Sequence, residues 1–230
     1  MPPQSLNALI VACRKCPRLV EWRESIAARK TRRFIDEDYW GKPVPSFGKS
    51  NARLLIVGLA PAAHGGNRTG RIFTGDESGN WLYRSLFNYG FANQPNSIRR
   101  GDGLRLSDCY ITAVCHCAPP QNKLTRKEIH NCRPFMLREL AMLRNLRVIV
   151  GLGKIGFDAV FDCIRQMGWT QLKARPKFGH GVSYQISDTL TLLGSYHPSQ
   201  QNTFTGKLTK KMLDDIFRRA KREISSRSSR

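Results

Sequence analysis

Acidic residues are scarce in this chain of 230 residues, which carries 17 Asp and Glu against 38 Lys and Arg. The formal net charge of +21 exceeds what solubility requires and predicts a polyanionic partner, with nucleic acid as the leading candidate. Long apolar runs are also missing, because no run approaches the roughly 20 residues that cross a bilayer. A membrane surface is therefore the weaker of the two candidate partners.

The N-terminal "MPPQSLNALIVACRKCP" has no basic region ahead of its short apolar stretch, so we expect no secretion signal. We therefore expect a soluble, intracellular protein. Its seven cysteines are an odd number, which argues against a disulfide framework and favours metal ligation by closely spaced cysteines. The length and the 40% hydrophobic content predict one domain over residues 1–230, with a basic tail at about 225–230.

Four short apolar runs rich in Val, Ile and Leu predict buried parallel strands. Helical patterns lie between and after these runs, and this alternation predicts a three-layer α/β/α fold with a central four-stranded parallel sheet. A stretch that alternates around Gly-His-Gly, residues 173–189, predicts a small hairpin ahead of the last strand. The runs are Ala52–Ala60, Cys109–Cys115, Leu146–Gly153 and Thr189–Tyr196, and the helical patterns are Trp81–Tyr89, Thr125–Leu143, Ile155–Met167 and Leu208–Ile224.

Ligands of open α/β sheets bind beyond the carboxyl ends of the strands, so the segments that follow the strands are the candidates for a site. Three of them are rich in Gly, Pro, Asn, His and Thr: "PAAHGGNRTGRIFTGDESG", "CHCAPPQNK" and "HPSQQNTFTG". By contrast, "GLGKIG" after the third strand lacks the full dinucleotide-binding spacing. The sequence predicts that the three polar loops converge on one edge of the sheet.

The "CRKC" spacing of Cys13 and Cys16 lets two thiolates bind one metal. Cys132 together with either Cys115 or Cys117 could supply a second pair, and spacing alone does not choose between them or between zinc and a four-iron cluster. Cys109 and Cys163 are interpreted as small buried hydrophobic residues.

The segments "GLAPAAHGGNRTGRIFTGD", "CAPPQNK", "NCRPFM" and "SYHPSQQNTFTGKLT" resemble those of the family 5, or B-type, uracil-DNA glycosylases with a four-iron–four-sulfur cluster. The similarity extends from "CRKCPRLV" to the last helix. It implies a cluster bound by Cys13, Cys16, Cys117 and Cys132, with residues of about 1–50 forming the N-terminal part of the cluster-binding region. Cys115 is then a strand residue.

The resemblance also implies roles for the loop residues. Phe73 would stack on a flipped base, Asn122 would hydrogen-bond its edge, and His197 would donate to the carbonyl oxygen that gains charge. Asp76 would stabilise the electron-poor sugar and orient water. The rival interpretations are core packing for Phe73, a turn-capping Asn122 and a structural His197.

Further assignments follow from the same resemblance. The base-binding set also includes Ala62, Ala63 and His64. The DNA-binding set comprises Arg68, Arg71, Ser199, Gln200, Gln201, Asn202, Phe204 and Lys207.

Two residues depart from the related motifs. Leu59 replaces a carboxylate found in A-type relatives and predicts tolerance for hypoxanthine and other modified bases, whereas Leu124 replaces the usual proline after "NK".

The resulting hypothesis is a monomeric, monofunctional DNA glycosylase of the prokaryotic cytoplasm, associated with the nucleoid. A non-catalytic iron–sulfur protein that binds nucleic acid is the alternative from another class, and a zinc-ribbon regulator is a third. The three predicted polar residues after separate strands favour the enzyme, because a binding protein has no need to bring such groups together.

Overall fold

The computed structural model describes residues 3–226 and contains one six-stranded sheet in the order β1-β3-β2-β4-β6-β5. The four central strands β3, β2, β4 and β6 are mutually parallel, while the edge strands β1 and β5 pair antiparallel with their neighbours. The predicted four-stranded parallel centre is confirmed, with two short antiparallel edges added. The strands are β1 Phe47–Gly48, β2 Leu54–Gly58, β3 Cys109–Ala113, β4 Val148–Leu152, β5 Ser183–Ser187 and β6 Leu190–Ser195.

Every residue of the central strands is buried, although alternate side chains point to opposite faces of the sheet. The burial follows from helices that cover both faces. Leu54 and Ile56 pack in the core that includes residues of α4 and α8, whereas Leu55 and Val57 pack in the core that includes residues of α5 and α6. The α-helices are α1 Pro3–Val11, α2 Pro17–Arg29, α3 Gly66–Thr69, α4 Glu77–Asn88, α5 Arg126–Met142, α6 Gly153–Gln166, α7 Gln200–Phe204 and α8 Lys210–Ser226.

The predicted hairpin within residues 173–189 is wrong in its pairing. Only β5 is a strand there, and it pairs with β6 itself across a turn at Asp188 and Thr189. The segment before β5 contains Pro176, which cannot donate a backbone hydrogen bond to a sheet. The Gly-His-Gly stretch instead lies against β6, where the Gly181 nitrogen donates to the Gly194 oxygen at 2.8 Å.

The N-terminal segment joins the body of the fold through a small third core, in which Leu6 and Ile10 of α1 pack with Phe135 of α5. Cys13 and Cys132 border this core. Within residues 3–226, no helix combines the length and apolar character needed to cross a membrane. The predicted basic tail lies mostly beyond the described residues, since α8 ends at Ser226.

Candidate active site

The loops after β2, β3 and β6 leave the sheet at the same edge, because these three strands are parallel and lie within the central four. We define them as the first loop, residues 59–76, the second loop, residues 114–124, and the third loop, residues 196–207. The first loop carries Asp76 and Phe73, the second Asn122 and the third His197.

Phe73 and His197 make a direct contact between the first and third loops. Their ring centroids lie 5.7 Å apart with an interplanar angle of 30°. Gly58 at the end of β2 makes room for the Phe73 ring, since a Cβ there would lie 2.8 Å from Cζ. Phe73 is only 8% exposed, so packing in the core and stacking on a base remain two compatible roles for one ring.

His197 is held on both sides of its backbone. Its carbonyl oxygen accepts a hydrogen bond of 2.8 Å from Asn202 Nδ2, and its Cβ approaches Gly153 at the start of α6. Burial of the imidazole lowers the pKa of His197 to about 4. The side chain is therefore neutral at physiological pH, and a neutral imidazole still has one N–H that can donate to a base carbonyl.

Asp76 is the N-cap of α4, and its Oδ1 accepts a hydrogen bond of 2.9 Å from the Gly79 nitrogen. Its Oδ2 faces Gly65, where a Cβ would overlap the carboxylate. Burial raises the pKa of Asp76 above its usual value, although backbone hydrogen bonds from Gly79 and Ser78 oppose the shift. The carboxylate thus has a structural role in capping, and the predicted catalytic role requires a test that separates the two.

Arg68 and Arg71 do not fit the predicted phosphate contacts. Both are buried, at 7% and 6% exposure. Arg68 pairs with Glu37, donates to the Gly75 oxygen at 3.0 Å and stacks 3.9 Å from the Phe34 ring centroid. Arg71 forms two hydrogen bonds with Asp102, at 2.8 and 2.7 Å. Both guanidinium groups therefore stabilise the first loop from inside, because these partners leave neither one facing solvent.

His64 has a partner that the sequence did not predict. Tyr39 OH lies 3.0 Å from His64 Nδ1, and desolvation lowers the pKa of His64. Tyr39 is 25 residues away in the chain, and no motif links the two positions. Ala62 and Ala63 are half-buried, and the Ala62 oxygen accepts from the Asn67 nitrogen at 3.0 Å. Their predicted contacts with a base remain predictions.

Asn122 is exposed at the end of a short 3₁₀ turn that spans Pro120–Asn122. Gln121 and Asn122 have φ values of 53° and 57°, which lie in the left-handed region. The position at the carboxyl end of β3 agrees with a role at the crevice, and the contact of the Asn122 amide with a base stays a prediction.

The third loop combines exposed apolar and basic side chains. Phe204 is 77% exposed, and Lys207 Nζ lies 4.9 Å from the Tyr196 ring centroid. Gln200 and Gln201 are exposed at the start of α7, after Ser199, the N-cap residue. The DNA contacts predicted for this loop remain predictions, and Asn202 has in addition the structural role of holding His197.

The four cysteines predicted as ligands are free thiols in three segments: before α2, after β3 and within α5. Cys13 and Cys132 border the same small core, and Asn131 Nδ2 donates to Cys16 Sγ at 3.4 Å, so the N-terminal cysteines lie against the part of α5 that carries Cys132. Burial raises the pKa of Cys117 to about 12, although the charge of Arg23 opposes this shift. Among the residues that the structure describes, no three His, Cys, Asp or Glu side chains are arranged to hold a metal ion. The donor chemistry, four thiols, nevertheless fits an iron–sulfur cluster.

Cys115 differs from Cys117 in its surroundings. It is completely buried, and its Sγ donates to the Glu128 oxygen at 3.5 Å. Cys117 is half-buried. The expectation that Cys115 lies in the strand is wrong, because β3 ends at Ala113, two residues before Cys115 and four before Cys117. Cys109 and Cys163 are buried in the two main cores, as predicted.

Comparison with known proteins identifies the family. Residues 45–221 match the uracil DNA glycosylase superfamily. The chain is 50% identical over 94% of its length to the type-5 uracil-DNA glycosylase of Mycobacterium bovis, covering 80% of that protein. The chain is 47% identical over 96% of its length to the type-5 uracil-DNA glycosylase of Thermus thermophilus, and the match covers 98% of that protein. It is 29% identical over 86% of its length to the type-4 uracil-DNA glycosylase of Pyrobaculum aerophilum, and the match covers 84% of that protein. The chain therefore belongs to the uracil DNA glycosylase superfamily and, within it, to the type-5 family.

Proposed function

We propose that the protein is a monofunctional uracil-DNA glycosylase, which hydrolyses the bond between uracil and deoxyribose and leaves an abasic site. The observation that carries the proposal is the contact between Phe73 and His197 at the carboxyl edge of the sheet, with Phe73 on the same loop as the Asp76 carboxylate. An aromatic ring, a neutral hydrogen-bond donor and an anion are the groups that excision of a flipped base requires.

Each group has a distinct role in this proposal. Phe73 stacks on the flipped uracil, and Asn122 hydrogen-bonds its edge. As the C1′–N1 bond breaks, the electron pair leaves with the base, and the His197 N–H stabilises the negative charge on the uracil oxygen. Asp76 stabilises the positive sugar and orients the water that adds to C1′. The added oxygen then loses a proton, and the departed uracil anion takes one up, so the products are neutral uracil and the abasic sugar.

The substrate range extends, in our proposal, to hypoxanthine and other deaminated bases. Leu59 replaces a polar side chain with an apolar one at the end of β2, and a pocket with fewer fixed polar groups rejects the wrong base weakly. Excision of hypoxanthine from a matched oligonucleotide, measured against uracil, tests this extension. A rate for hypoxanthine no higher than that for an undamaged purine would contradict it.

A four-iron–four-sulfur cluster bound by Cys13, Cys16, Cys117 and Cys132 is also part of the proposal. Such a cluster supplies a rigid cross-link between segments and is assigned no step in the hydrolysis. The N-terminal segment already contacts the second loop, since Arg18 Nη2 donates to the Lys123 oxygen at 3.0 Å. The four thiols would strengthen this connection.

DNA is the proposed partner, bound by a monomer in the cytoplasm at the nucleoid. The net charge of +21 favours a phosphate-binding surface, and the exposed Phe204 in the third loop is suited to fill the space that a flipped nucleotide leaves. Lys207, Gln200 and Gln201 are exposed on the same loop and available to phosphates.

The test is a single-turnover assay with a labelled oligonucleotide that carries one uracil, in single-stranded and duplex form. The proposed enzyme releases free uracil and leaves an intact strand, which breaks only after alkali treatment. Binding without release would favour the non-catalytic iron–sulfur protein. Strand breakage without alkali would contradict the monofunctional assignment.

A further inference from the structure

An exposed apolar side chain, Ile98, lies close to the first loop and has no role in the site described above. Ile98 is 66% exposed, and the two residues that follow it, Arg99 and Arg100, are also exposed. Arg105 is exposed on the far side of the same turn. We call residues 97–105 the Ile98 loop.

The Ile98 loop is fixed directly to the loop that carries Asp76. The Ser97 oxygen accepts a hydrogen bond of 2.9 Å from the nitrogen of Gly75, the residue before Asp76. Ser97 Oγ lies 2.6 Å from Thr74 Oγ1 and accepts from Arg71 Nη2 at 2.9 Å. Because Ile98 follows Ser97 immediately, it lies next to Thr74 and Gly75, the two residues that lead into Asp76.

Hydrogen bonds to Asp102 give this loop a defined shape without a bound partner molecule. Its carboxylate accepts hydrogen bonds from the backbone nitrogens of Ile98, at 2.9 Å, and Leu104, at 3.1 Å, and from the buried Arg71 guanidinium. Although burial opposes the shift, these hydrogen bonds hold the pKa of Asp102 well below its usual range. The negative charge of Asp102 is thus balanced by Arg71, and the exposed face of the loop presents Arg99, Arg100 and Arg105.

We propose that the Ile98 loop is a second DNA-contacting element, in which Ile98 packs against the sugar and base edge of a nucleotide near the flipped one while Arg99 contacts a phosphate. The inference rests on the proposed function, since it takes DNA as the substrate at the Asp76 site. Apolar side chains of architectural proteins pack between base steps in this way, and flanking arginines neutralise phosphates. The loop needs no rearrangement to bind, because the Asp102 and Ser97 hydrogen bonds already order it.

The experiment measures the affinity for a duplex with one uncleavable abasic-site analogue, by fluorescence anisotropy over a series of salt concentrations. The test variants are Ile98→Ser and Arg99→Ala. Phe87→Ser is the matched apolar control, since Phe87 is 44% exposed at the end of α4, the helix that begins at Asp76 and runs away from the carboxyl edge. Arg144→Ala is the matched basic control, because Arg144 is exposed just before β4, at the opposite edge of the sheet.

We expect Ile98→Ser to weaken binding about fivefold to tenfold with an unchanged salt dependence, because an apolar contact releases no counterions. Arg99→Ala should weaken binding and lower the slope of log affinity against log salt by about 1. Both controls should bind as the parent does. Parental affinity in Ile98→Ser would overturn the proposal, and so would an Ile98→Ser protein that changes only its oligomeric state, which would indicate a contact between copies of the chain.

The two proposals fail in distinguishable ways. A parent protein that binds the duplex through Ile98 and Arg99 but releases no uracil would contradict the proposed function and leave the binding surface intact. A parent that releases uracil while Ile98→Ser and Arg99→Ala both bind normally would contradict only the surface.

Discussion

The first and second loops both carry residues assigned to the substrate, but different parts of the chain hold them in place. The first loop is stabilised by its own hydrogen bonds, such as that from Thr69 Oγ1 to the Gly65 oxygen at 3.1 Å, and by the side-chain pairs of Arg68 with Glu37 and Arg71 with Asp102. The second loop contains two consecutive left-handed residues and is contacted from outside by Arg18 of α2. The first loop around Asp76 is therefore held by side-chain pairs that need no metal cluster, whereas the second loop around Asn122 depends in part on the contact from Arg18 of the N-terminal segment.

The proposed cluster would explain this dependence, since two of its four ligands lie in the N-terminal segment and one, Cys117, lies in the second loop itself. Left-handed conformations of residues other than glycine cost about 1 kcal/mol or more and persist only where the surroundings impose them. A covalent cross-link next to Pro119 would impose them.

The largest expected effect is the loss of iron from a Cys117→Ser protein. Because Cys117 is the proposed ligand, its replacement should remove most of the bound iron and the visible absorbance of the purified protein. Cys115→Ser is the matched control, as its side chain is buried two residues away and should leave the iron content near the parental value. Retention of iron in Cys117→Ser with loss in Cys115→Ser would reverse the assignment and detach the second loop from the cluster.

The next effect concerns Asp76 in the first loop. Asp76→Ala should lower the single-turnover rate of uracil release about 100-fold or more, because it removes the anion proposed to stabilise the sugar. It also removes a helix cap, which costs about 1 kcal/mol. Asp76→Ser separates the two roles, since serine is a good N-cap but carries no charge. A Ser variant with the stability and the rate of the parent would make the carboxylate purely structural.

The sequence predicts the position of the loops better than the partners of their side chains. The strands and the carboxyl-edge position of the three loops follow from continuous apolar runs and turn-forming residues, and both are observed. The roles of Arg68 and Arg71 were not predictable in the same way, because a basic residue in a glycine-rich loop reads as a phosphate contact. Glu37 lies 31 residues before Arg68, and Asp102 lies 31 residues after Arg71. No local sequence pattern indicates either pairing.

The same limit applies to pairings that depend on tertiary contacts. The antiparallel pairing of β5 with β6 was missed because the Gly-His-Gly stretch is the stronger local turn signal. The contact between Tyr39 and His64 has no sequence signal at all. Residues that terminate a strand or begin a helix can be located from the sequence, whereas the partner of a buried polar group requires the fold.

A smaller effect is expected in the pH dependence of the rate. Burial raises the pKa of Asp76, so the ionised form is lost as the pH falls through a value above the usual one, and the rate should fall with it. His197, with a pKa of about 4, should add no inflection near its usual value of about 6.5. Single-turnover rates from about pH 4 to about pH 8 check this. Asn122→Ala, which changes the second loop, should keep the acid limb, while Asp76→Asn should lose it.

The stability of the folded protein should also fall at acid pH. The folded-state pKa of His197 lies below that of the unfolded chain, so between about 4 and about 6.5 the unfolded state binds more protons. The stabilising contribution of the neutral imidazole is complete above this window and is lost as the pH falls through it. His197→Gln should therefore show a flatter dependence of the unfolding free energy on pH in this range. A His197→Gln protein with the same pH dependence as the parent would contradict this.

The prediction for the rate has its own contradicting outcome. If the rate of Asp76→Asn falls at acid pH as that of the parent does, the loss of rate arises from a group other than Asp76.

The smallest expected effect is a change in stability from relief of backbone strain in the second loop. Gln121 has a φ of 53°, and glycine adopts this conformation freely, so Gln121→Gly removes a cost of about 1 kcal/mol while adding about 0.5–1 kcal/mol of unfolded-state entropy. The free energy of unfolding should stay level or rise by up to about 0.5 kcal/mol. Gln171→Gly is the matched control, an exposed glutamine outside the left-handed region, and it should lose about 0.5–1 kcal/mol. Denaturant unfolding of the two variants measures the difference. Equal losses in both would mean that the second loop carries no strain to relieve, and its dependence on the N-terminal segment would then have to rest on the contacts of Arg18 and the proposed cluster alone.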